Sequence, residues 1–418
     1  MNLKTPSESG APRQLFFTTP EQRIALARQR FFDEGVRPSG LVAEPVIQSW
    51  MRCTSARARV SGELAFDPVT PSRLHGALNR NRELLAAARL ELLSIENSLA
   101  GTDCRVLLTD GEGVIVHATH NPQATQAPIL HRAGRLGVNI SEGVVGTSAP
   151  GIVTKTGQAS MVRGAEHFFD CLQQFQCAAA PIRDVHGRLA GVLNLSVESR
   201  HFGFDAASVI GLYATSIENR LLQSQSRDHL LLRFQASPAL LSTPMEALAG
   251  IAAGGTVAWL NDIAARLLGN QPQTLQSPVE AVFGLHLEEL VSLVRCEAAQ
   301  QVRLPSGLCV WVSARLSAAD GINFNHALAT APAPPSDVPV LVAPVVDPEP
   351  LPAQTPVAAM HVPADATLGQ HSRKIIEATL LACGGNIAKA ARILQVSRGT
   401  LYRRLRDWRA EPDGSTAV

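Results

Sequence analysis

The residues whose types and spacing are best suited to chemistry lie between Gly384 and Trp408, where arginines follow a helical pattern. One helix face is predicted from apolar residues three and four positions apart, namely Ile387, Ala390, Ala391 and Leu394. A turn follows, and Ser397 is placed to cap a second helix that buries Leu401 and Leu405. This pattern predicts a helix-turn-helix.

Positive charge is concentrated in the same segment. Residues 371–409 contain nine Lys or Arg and two acidic residues, a net charge of +7 on a chain whose total is +1. Such asymmetry favours contact with the phosphates of double-stranded DNA. The predicted DNA-binding residues are Ser397, Arg398, Thr400, Tyr402, Arg403, Arg404 and Arg406. Because one helix-turn-helix buries little surface, we expect a homodimer on a palindromic site.

A second candidate site is a small-molecule pocket in the first half of the chain. Ligand pockets combine apolar walls with a few polar groups. The predicted ligand-binding residues are Thr147, Glu166, His167, Cys177 and Asn194, with Ser148 beside them. Each has an alternative role as a helix cap, a surface residue or a bridge between strands. The spacing of His167, Cys171 and Cys177 matches no common zinc site, so we expect no metal and no cofactor.

The pocket must be positioned by the segment after Asp103, where the sequence pattern changes from helical to strand periodicity. Apolar strand patterns flank the turn signal at 110–113, and further strands follow in ASMVRG, CAAAPIRD and RLAGVLNLSV. A glycine-punctuated loop and helix lie between the strand pairs, and FDAASVIGLYATSIENRLLQ ends the segment as an amphipathic helix. The order predicts a multidomain α+β protein whose first sheet is antiparallel.

Several segments carry family resemblances. Residues 371–408, with GGNIAKAARILQVSRGTLYRRL at their centre, resemble the C-terminal domain of Fis-type regulators, which implies an all-α DNA-binding domain over 368–409. The stretches EGVVGTSAPGIV, GAEHFF and CAAAPIRDVHGRLAGVLNLS resemble the GAF domain of acetoin-catabolism regulators, which implies a GAF sensory domain over 101–223. The stretch SWMRC resembles the opening of the same regulators.

Helices are predicted throughout the first 100 residues, which we assign to an N-terminal helical region. Thr19 and Pro20 are placed to start a helix that ends at Gly35, and a shorter helix ends at Cys53. Residues 72–100 predict one long helix with leucines near heptad spacing. That helix fits either a dimer seam or packing on its own domain.

The segment after residue 223 is predicted to continue the GAF helix as a connector, which fits either a signal-transmitting element or a passive spacer. A strand, a turn at 254–255, a second strand and a helix then resemble the entry of a PAS domain, and a closing hairpin turns at 305–307. We therefore expect a PAS-like domain over 235–318. Residues 326–367 contain ten prolines and are predicted to form an extended linker.

Composition excludes several classes of protein. No run approaches the ~18 apolar residues of a membrane span, and the N-terminus lacks a signal-peptide pattern, so we expect a cytoplasmic protein with no membrane partner. The seven cysteines show no CxxC spacing and are expected to be reduced thiols.

The regulators that the chain resembles carry an AAA+ ATPase between the sensory part and the Fis-type helices. Here that place holds the proline-rich linker, and the sequence has neither a GxxxxGK[ST] phosphate-binding motif nor a GAFTGA loop. The resemblance therefore implies a regulator without its own ATPase. It is expected to act by occupying DNA, by contacting RNA polymerase, or by pairing with a full-length AAA+ relative.

Together these patterns predict a ligand-responsive, sequence-specific DNA-binding transcription regulator that is not an enzyme. One alternative is a GAF-based thiol enzyme resembling methionine sulfoxide reductases, with Cys171 or Cys177 as the reactive thiol. Another is a nucleoid-type DNA-binding protein with little sequence preference. The identity of the ligand and the sign of regulation do not follow from the sequence.

Overall fold

The computed structural model describes residues 19–56, 58–119, 127–270, 274–296 and 298–316, together with three single positions, 376, 379 and 387. Residues up to 334 form one compact unit, and residues 335–418 form a second. The predicted linker and helix-turn-helix lie outside the described residues, apart from those single positions. Within the described residues, no helix combines the length and apolar character needed to cross a bilayer.

The first unit contains helices and two antiparallel sheets, so the α+β prediction is confirmed. Its helices are α1 (Pro20–Arg28), α2 (Glu44–Ser55), α3 (Pro71–Arg80), α4 (Arg82–Leu99), α5 (Pro128–Ala133), α6 (Glu142–Val145), α7 (Ala149–Thr156), α8 (Ala206–Gln225), α9 (Asp262–Leu267), α10 (Val279–Phe283) and α11 (Leu287–Leu293). Its strands are β1 (Arg105–Asp110), β2 (Ile115–Ala118), β3 (Ser160–Arg163), β4 (Phe175–Arg183), β5 (Leu189–Glu198), β6 (Leu230–Gln235), β7 (Ala247–Ile251), β8 (Val257–Leu260), β9 (Gln300–Arg303) and β10 (Cys309–Leu316).

The helix ends follow the capping signals in the sequence. Thr19 accepts the backbone N–H of Gln22 at 3.3 Å, and Pro20 then begins α1. A single π turn, Gln29–Asp33, continues that helix. The predicted helix over 72–100 is two helices, because the chain turns at Asn81, whose side chain donates to the carbonyl of Ala77 at 2.8 Å.

The first sheet has the strand order β2-β1-β5-β4-β3, and both of its faces are covered. Period-2 alternation sends Ala178, Ala180 and Ile182 of β4 to the side covered by α4 and α8. Cys177 and Ala179 point to the opposite side, where they join one core with residues of α1, α2, α5 and α7. That shared core means that the boundary drawn at residue 100 separates segments that pack together.

Helix α4 packs on its own domain. Its buried residues, Leu84, Ala88, Leu92, Ile95 and Leu99, belong to the same core as the helix side of the first sheet. The sequence fits either a dimer seam or packing of this helix on its own domain, and the structure shows the packing. Leu90 and Leu93 on the same helix remain exposed.

The prediction of a helical connector after residue 223 is wrong. Helix α8 ends at Gln225, and the apolar run that follows forms β6, an inner strand of the second sheet with the order β8-β7-β6-β10-β9. Leu230, Leu232 and Phe234 enter the core of that sheet, while Leu231 faces a separate cluster with Leu222 of α8. The alternation of buried faces satisfies a strand, whereas a helix would leave part of this run in water.

The two hairpins predicted in this region are present. Strands β7 and β8 pair antiparallel on either side of the 254–255 turn, and β9 pairs with β10 around 305–307. Helices α9, α10 and α11 lie between the two hairpins in the chain, and Phe283 and Leu290 from these helices are fully buried against the sheet. The PAS-like assignment of 235–318 stays a prediction.

Leu232→Ala tests the position of β6. Because the Leu232 side chain is fully buried in the second sheet, its removal is expected to lower the free energy of unfolding by about 2–5 kcal/mol. The measurement is a urea titration of the full chain followed by circular dichroism. Leu240→Ala, at a position that is 39% exposed, is the control and should change the free energy by less than about 0.5 kcal/mol. If both substitutions lower the free energy of unfolding by equally small amounts, β6 is not a central strand of the second sheet.

Candidate functional site

A cavity lies between the first sheet and the layer of loops and short helices on its non-α8 side. Its cavity volume is about 50 Å³, several times the ~10–15 Å³ that one water molecule needs, so it has room for a small molecule. The sheet supplies its floor, and segments from α5 to residue 172 supply most of its walls. The lining residues are Phe66, Leu107, Leu130, Ala133, Ile140, Val145, Ser148, Pro150, His167, Leu172, Phe175, Cys177, Asn194 and Ser196.

Three polar side chains form a connected row on the cavity floor. Asn194 and Ser196 stand two residues apart on β5 and so share a face, and Cys177 lies opposite Ser196 on β4. The Asn194 amide donates to the Ser196 hydroxyl at 2.8 Å, and that hydroxyl donates to the Cys177 sulfur at 3.2 Å. No group of the described residues hydrogen bonds to the Asn194 carbonyl oxygen, Oδ1, although the side chain is buried.

His167 forms part of the cavity wall. Its ring Nδ1 lies 3.0 Å from the carbonyl oxygen of Gly164, and its ring packs edge-to-face near Phe175. Burial lowers the pKa of His167 to about 4, the hydrogen bond to Gly164 opposes this shift, and the charge of Arg28 adds to it. The imidazole is therefore neutral at neutral pH. Its Nε2 has no hydrogen-bond partner within the described part of the chain.

Arg28 of α1 fixes the segment that carries His167. Its guanidinium donates to the carbonyl oxygens of His167 at 2.8 Å and Phe168 at 2.9 Å, and to the Asp170 carboxylate at 2.7 Å. The guanidinium is also stacked over the ring of Phe32. These contacts hold the backbone around His167 in place from outside the cavity.

Glu166 and Thr147, two of the predicted ligand-binding residues, do not line the cavity. The Glu166 carboxylate accepts the backbone N–H of Arg163 at 2.8 Å and so caps a short 3-10 turn. Burial raises the pKa of this carboxyl, although its hydrogen bond to Arg163 opposes the shift. The Glu166 carbonyl accepts the indole N–H of Trp50 at 2.8 Å. Of the five predicted residues, the structure thus brings His167, Cys177 and Asn194 together.

A buried polar cluster behind the cavity wall is absent from the sequence predictions. We call it the Glu142 cluster, and it comprises Ser49, Arg52, Glu142 and Thr147. Arg52 donates to both carboxylate oxygens of Glu142, at 2.6 and 2.7 Å, and the Ser49 hydroxyl donates to the same carboxylate at 2.6 Å. Ser49 and Thr147 hydroxyls lie 2.8 Å apart. The cluster ties α2 to α6 and to the residues that begin α7.

The sequence offered a partial signal for this cluster. Ser49 and Arg52 are three residues apart on a predicted helix, and helical residues at that spacing share a face. Glu142 itself gave no signal, because an isolated glutamate in a glycine-rich loop is expected on the surface. Ser148, the neighbour of Thr147, accepts the backbone N–H of Gly151 at 3.2 Å and caps α7, in addition to lining the cavity.

The cysteines do not provide an activated thiol in this site. Burial raises the pKa of Cys177 to about 12, and the hydrogen bond from Ser196 offsets this only in part. A thiol with such a pKa holds almost no thiolate at neutral pH, and the thiolate is the nucleophile. Cys171 is largely exposed, and the partial burial of its thiol raises the pKa.

The predicted DNA-binding residues lie outside the described residues. They are Ser397, Arg398, Thr400, Tyr402, Arg403, Arg404 and Arg406. In the second unit, positions 376, 379 and 387 are helical, and Ile376 is buried.

Comparison with known proteins gives two matches to protein-family models. Residues 19–211 match "MimR, N-terminal domain", and residues 367–408 match "Bacterial regulatory protein, Fis family". The first match includes α1 and α2 together with the first sheet, in agreement with the core that they share.

Named relatives include three regulators. The acetoin catabolism regulatory protein of Cupriavidus necator is 29% identical over 270 residues, which are 62% of this chain and 40% of that protein. The propane 2-monooxygenase operon transcriptional activator MimR of Mycolicibacterium goodii is 28% identical over 298 residues, which are 69% of this chain and 46% of that protein. The acetoin dehydrogenase operon transcriptional activator AcoR of Bacillus subtilis is 26% identical over 172 residues, 40% of this chain and 28% of that protein.

The chain thus spans less than half the length of these relatives. Among solved structures, the complex of the N-terminal part of Escherichia coli DhaR with DhaL covers 65% of this chain and 99% of that chain, at 16% identity and a TM-score of 0.41.

Arg52→Ala tests the Glu142 cluster. The variant leaves the buried Glu142 carboxylate without its guanidinium, so we expect the free energy of unfolding to fall by about 1–3 kcal/mol. Arg37→Ala is the matched control, because Arg37 pairs with Glu44 where both side chains are about half exposed, and it should cost less than about 1 kcal/mol. Urea titration of both variants gives the comparison. Similar losses would show that the pair formed with the buried Glu142 carboxylate holds α2 no more firmly than a pair between two exposed side chains.

A pH titration tests the neutral state of His167. Its pKa is about 4 in the folded chain and about 6.5 when unfolded. As pH falls through this window, the unfolded chain binds a proton that the folded chain resists, so His167 lowers stability progressively, by about 3 kcal/mol in all. His167→Phe should remove this part of the pH dependence of the free energy of unfolding.

Asn194→Leu is the control for that titration, since it alters the same cavity without removing a titrating group. It should keep the wild-type slope between pH 6.5 and 4. An unchanged slope in His167→Phe would mean that His167 titrates with the same pKa, about 6.5, in the folded and the unfolded chain.

Proposed function

We infer that this chain, in which a MimR-type N-terminal domain precedes a Fis-family regulatory domain, is a ligand-responsive, sequence-specific DNA-binding transcription regulator and not an enzyme. The observation that carries this proposal is the buried cavity with unpartnered polar atoms, found in the same chain as the Fis-family match. A cavity of this kind fits a sensor, and a Fis-type domain fits an output on double-stranded DNA.

The sensory part is the first sheet with its layer of loops, which we propose to be a GAF domain over 101–223. Most of the second sheet lies within 235–318, which we propose to be a PAS-like domain, whereas its strand β6 begins earlier, at Leu230. Relatives are named for operons of acetoin and propane metabolism, so a small carbon compound or its oxidation product is the class of effector that we propose. His167, Cys177 and Asn194 are its proposed contacts.

Contacts between the two sheets support a route for the signal. Asn219 on α8 donates to the carbonyl of Pro244 at 3.2 Å and accepts from the amide of Asn261 at 2.9 Å. Leu222 of α8 packs in one cluster with Leu231, Leu248 and Trp259 of the second sheet. In our proposal, ligand binding shifts the balance between two arrangements of these packed elements, and this balance sets the pairing of the DNA-binding domains.

The proposed output is a homodimer on a palindromic site in the cytoplasm. Ser397, Arg398, Thr400 and Arg403 are proposed to reach base edges, while Tyr402, Arg404 and Arg406 grip phosphates. Because the 418 residues contain no GxxxxGK[ST] motif, we propose that regulation proceeds by occupying DNA, by contact with RNA polymerase, or by pairing with a full-length AAA+ relative.

A DNA-binding titration tests the proposed function. Duplexes selected from random sequence by the purified full chain provide a cognate site, and a scrambled duplex provides the reference. We expect affinity for both to fall steeply with salt, as phosphate contacts require. Arg403→Ala should cost about 1–3 kcal/mol on the cognate duplex and reduce the preference over the scrambled one, whereas Arg404→Ala should weaken both alike.

Three results would count against this proposal. Equal effects of the two substitutions would remove the division between base and phosphate contacts. Affinity without sequence preference would favour a nucleoid-type protein. A chain that binds no duplex in a salt-dependent manner would not be a DNA-binding regulator.

A further inference from the structure

Among the described residues, two hydrogen-bond acceptors without partners belong to residues that line the cavity. Nε2 of His167 and Oδ1 of Asn194 belong to side chains that are each 1% exposed and that line the same cavity. Neither atom has a hydrogen-bond partner within the described part of the chain. An unpaired buried polar atom costs about 1–3 kcal/mol, so a molecule that supplies the missing hydrogen bonds recovers that free energy on binding.

The chemistry of the His167 ring follows from its backbone contact. A carbonyl oxygen only accepts, so Nδ1, which faces the Gly164 carbonyl at 3.0 Å, carries the proton. The neutral ring has one proton, and Nε2 therefore carries a lone pair. A ligand must bring an O–H or N–H group to this atom.

Asn194 likewise requires a hydrogen-bond donor from the ligand. Its amide nitrogen donates to the Ser196 hydroxyl, which in turn donates to the Cys177 sulfur. With the amide nitrogen bonded to Ser196, Oδ1 is the atom without a partner in the described part of the chain. Each of these two unpartnered atoms thus requires a donor from the ligand.

The remaining lining sets the charge of the ligand. None of the described residues that line the cavity is Asp, Glu, Lys or Arg, and most of the lining is aliphatic or aromatic. A carboxylate or an ammonium group would lose its hydration there without gaining an opposite charge. The walls therefore favour a molecule that is neutral and largely apolar.

We propose that the cavity selects a small, neutral, hydroxyl-bearing organic molecule, an alcohol or a diol, whose O–H donates to Nε2 of His167 or to Oδ1 of Asn194. Ketones of the same skeleton accept but do not donate, and they leave both atoms unpaired. Carboxylates would place a charge in the cavity, where it loses its hydration without gaining an opposite charge. The inference rests on the proposed sensory role of this cavity and assigns the chemical class that the cavity would sense.

The experiment compares isosteric probes on the purified full chain. The probes are secondary alcohols from propan-2-ol to hexan-2-ol, the matching ketones from propanone to hexan-2-one, the matching carboxylates from propanoate to hexanoate, and the vicinal diols of the same lengths. Binding is measured by ligand-observed NMR and by the shift in unfolding temperature. We expect the best alcohol or diol to bind roughly tenfold or more tightly than its ketone, because a site with a buried unpaired acceptor discriminates against a ligand without a donor.

Variants identify the atoms responsible. His167→Phe keeps the bulk of the ring and leaves the Gly164 carbonyl its second donor, the backbone N–H of His167 at 3.1 Å. Asn194→Leu keeps the size of the side chain, and Ser196 retains its contact to Cys177. At least one of these variants should bring the alcohol and ketone affinities to within about twofold. Cys171→Ser, at an exposed position away from the cavity, should leave the preference for alcohols unchanged.

Ketones or carboxylates that bind as tightly as the alcohols would overturn this proposal. So would a preference for alcohols that survives in both cavity variants, or an absence of alcohol and diol binding at any chain length. The comparison of probes in the unaltered chain decides the matter even if a variant does not fold. Salt-dependent, sequence-specific DNA binding is measured separately, so a failure here is distinguishable from a failure of the proposed regulatory function.

Discussion

The ion pair between the buried Glu142 carboxylate and Arg52 is the interaction on which the arrangement around the cavity depends. A charge with a side chain that is only 5% exposed is tolerated because Arg52 and Ser49 satisfy its oxygens. Both partners come from α2, which lies about 90 residues earlier in the chain. The carboxylate therefore requires α2 at this place, and α2 in turn places Trp50 against the Glu166 carbonyl. The wall of the cavity is thus held from behind by the N-terminal helices.

That constraint explains why the cavity has rigid polar groups. Arg28 of α1 holds the backbone at 167, 168 and 170, while the sheet fixes Asn194 and Ser196 on a strand that is paired on both sides. The polar atoms that face the cavity are therefore positioned by regular elements and by a second layer of hydrogen bonds, and such support keeps a binding site in its productive geometry. The wall and the floor of the cavity are thus set by different parts of the chain.

Much of the fold followed from local patterns in the sequence, and the site followed in part. Strand alternation and turn signals predicted all five strands of the first sheet and the two hairpins of the second, because those signals act over a few residues. The run from Leu230 to Gln235 was misread as helix because a short apolar run has no distinctive period once it is buried on both faces. Residue types suggested Asn194, His167 and Cys177, which are polar groups next to apolar strands. The pairing of Glu142 with Arg52 was not predicted, because it joins positions 90 residues apart and a single sequence holds no record of such a contact.

The position of α8 constrains how a change in the cavity can spread. One side of this helix, through Ile210, Ala214 and Ile217, packs on the back of the same strands that carry Asn194 and Cys177 on their front. Its C-terminal part contacts the second sheet through Asn219 and Leu222. Glu218, between them, accepts the backbone N–H of Arg183 at the end of β4 at 2.7 Å, and burial raises its pKa to about 7. Close-packed interiors transmit displacement because they have little free volume. A shift of β4 or β5 on the cavity side therefore bears on α8, which is one structural link to the second sheet, and Val185 in the turn between β4 and β5 is another.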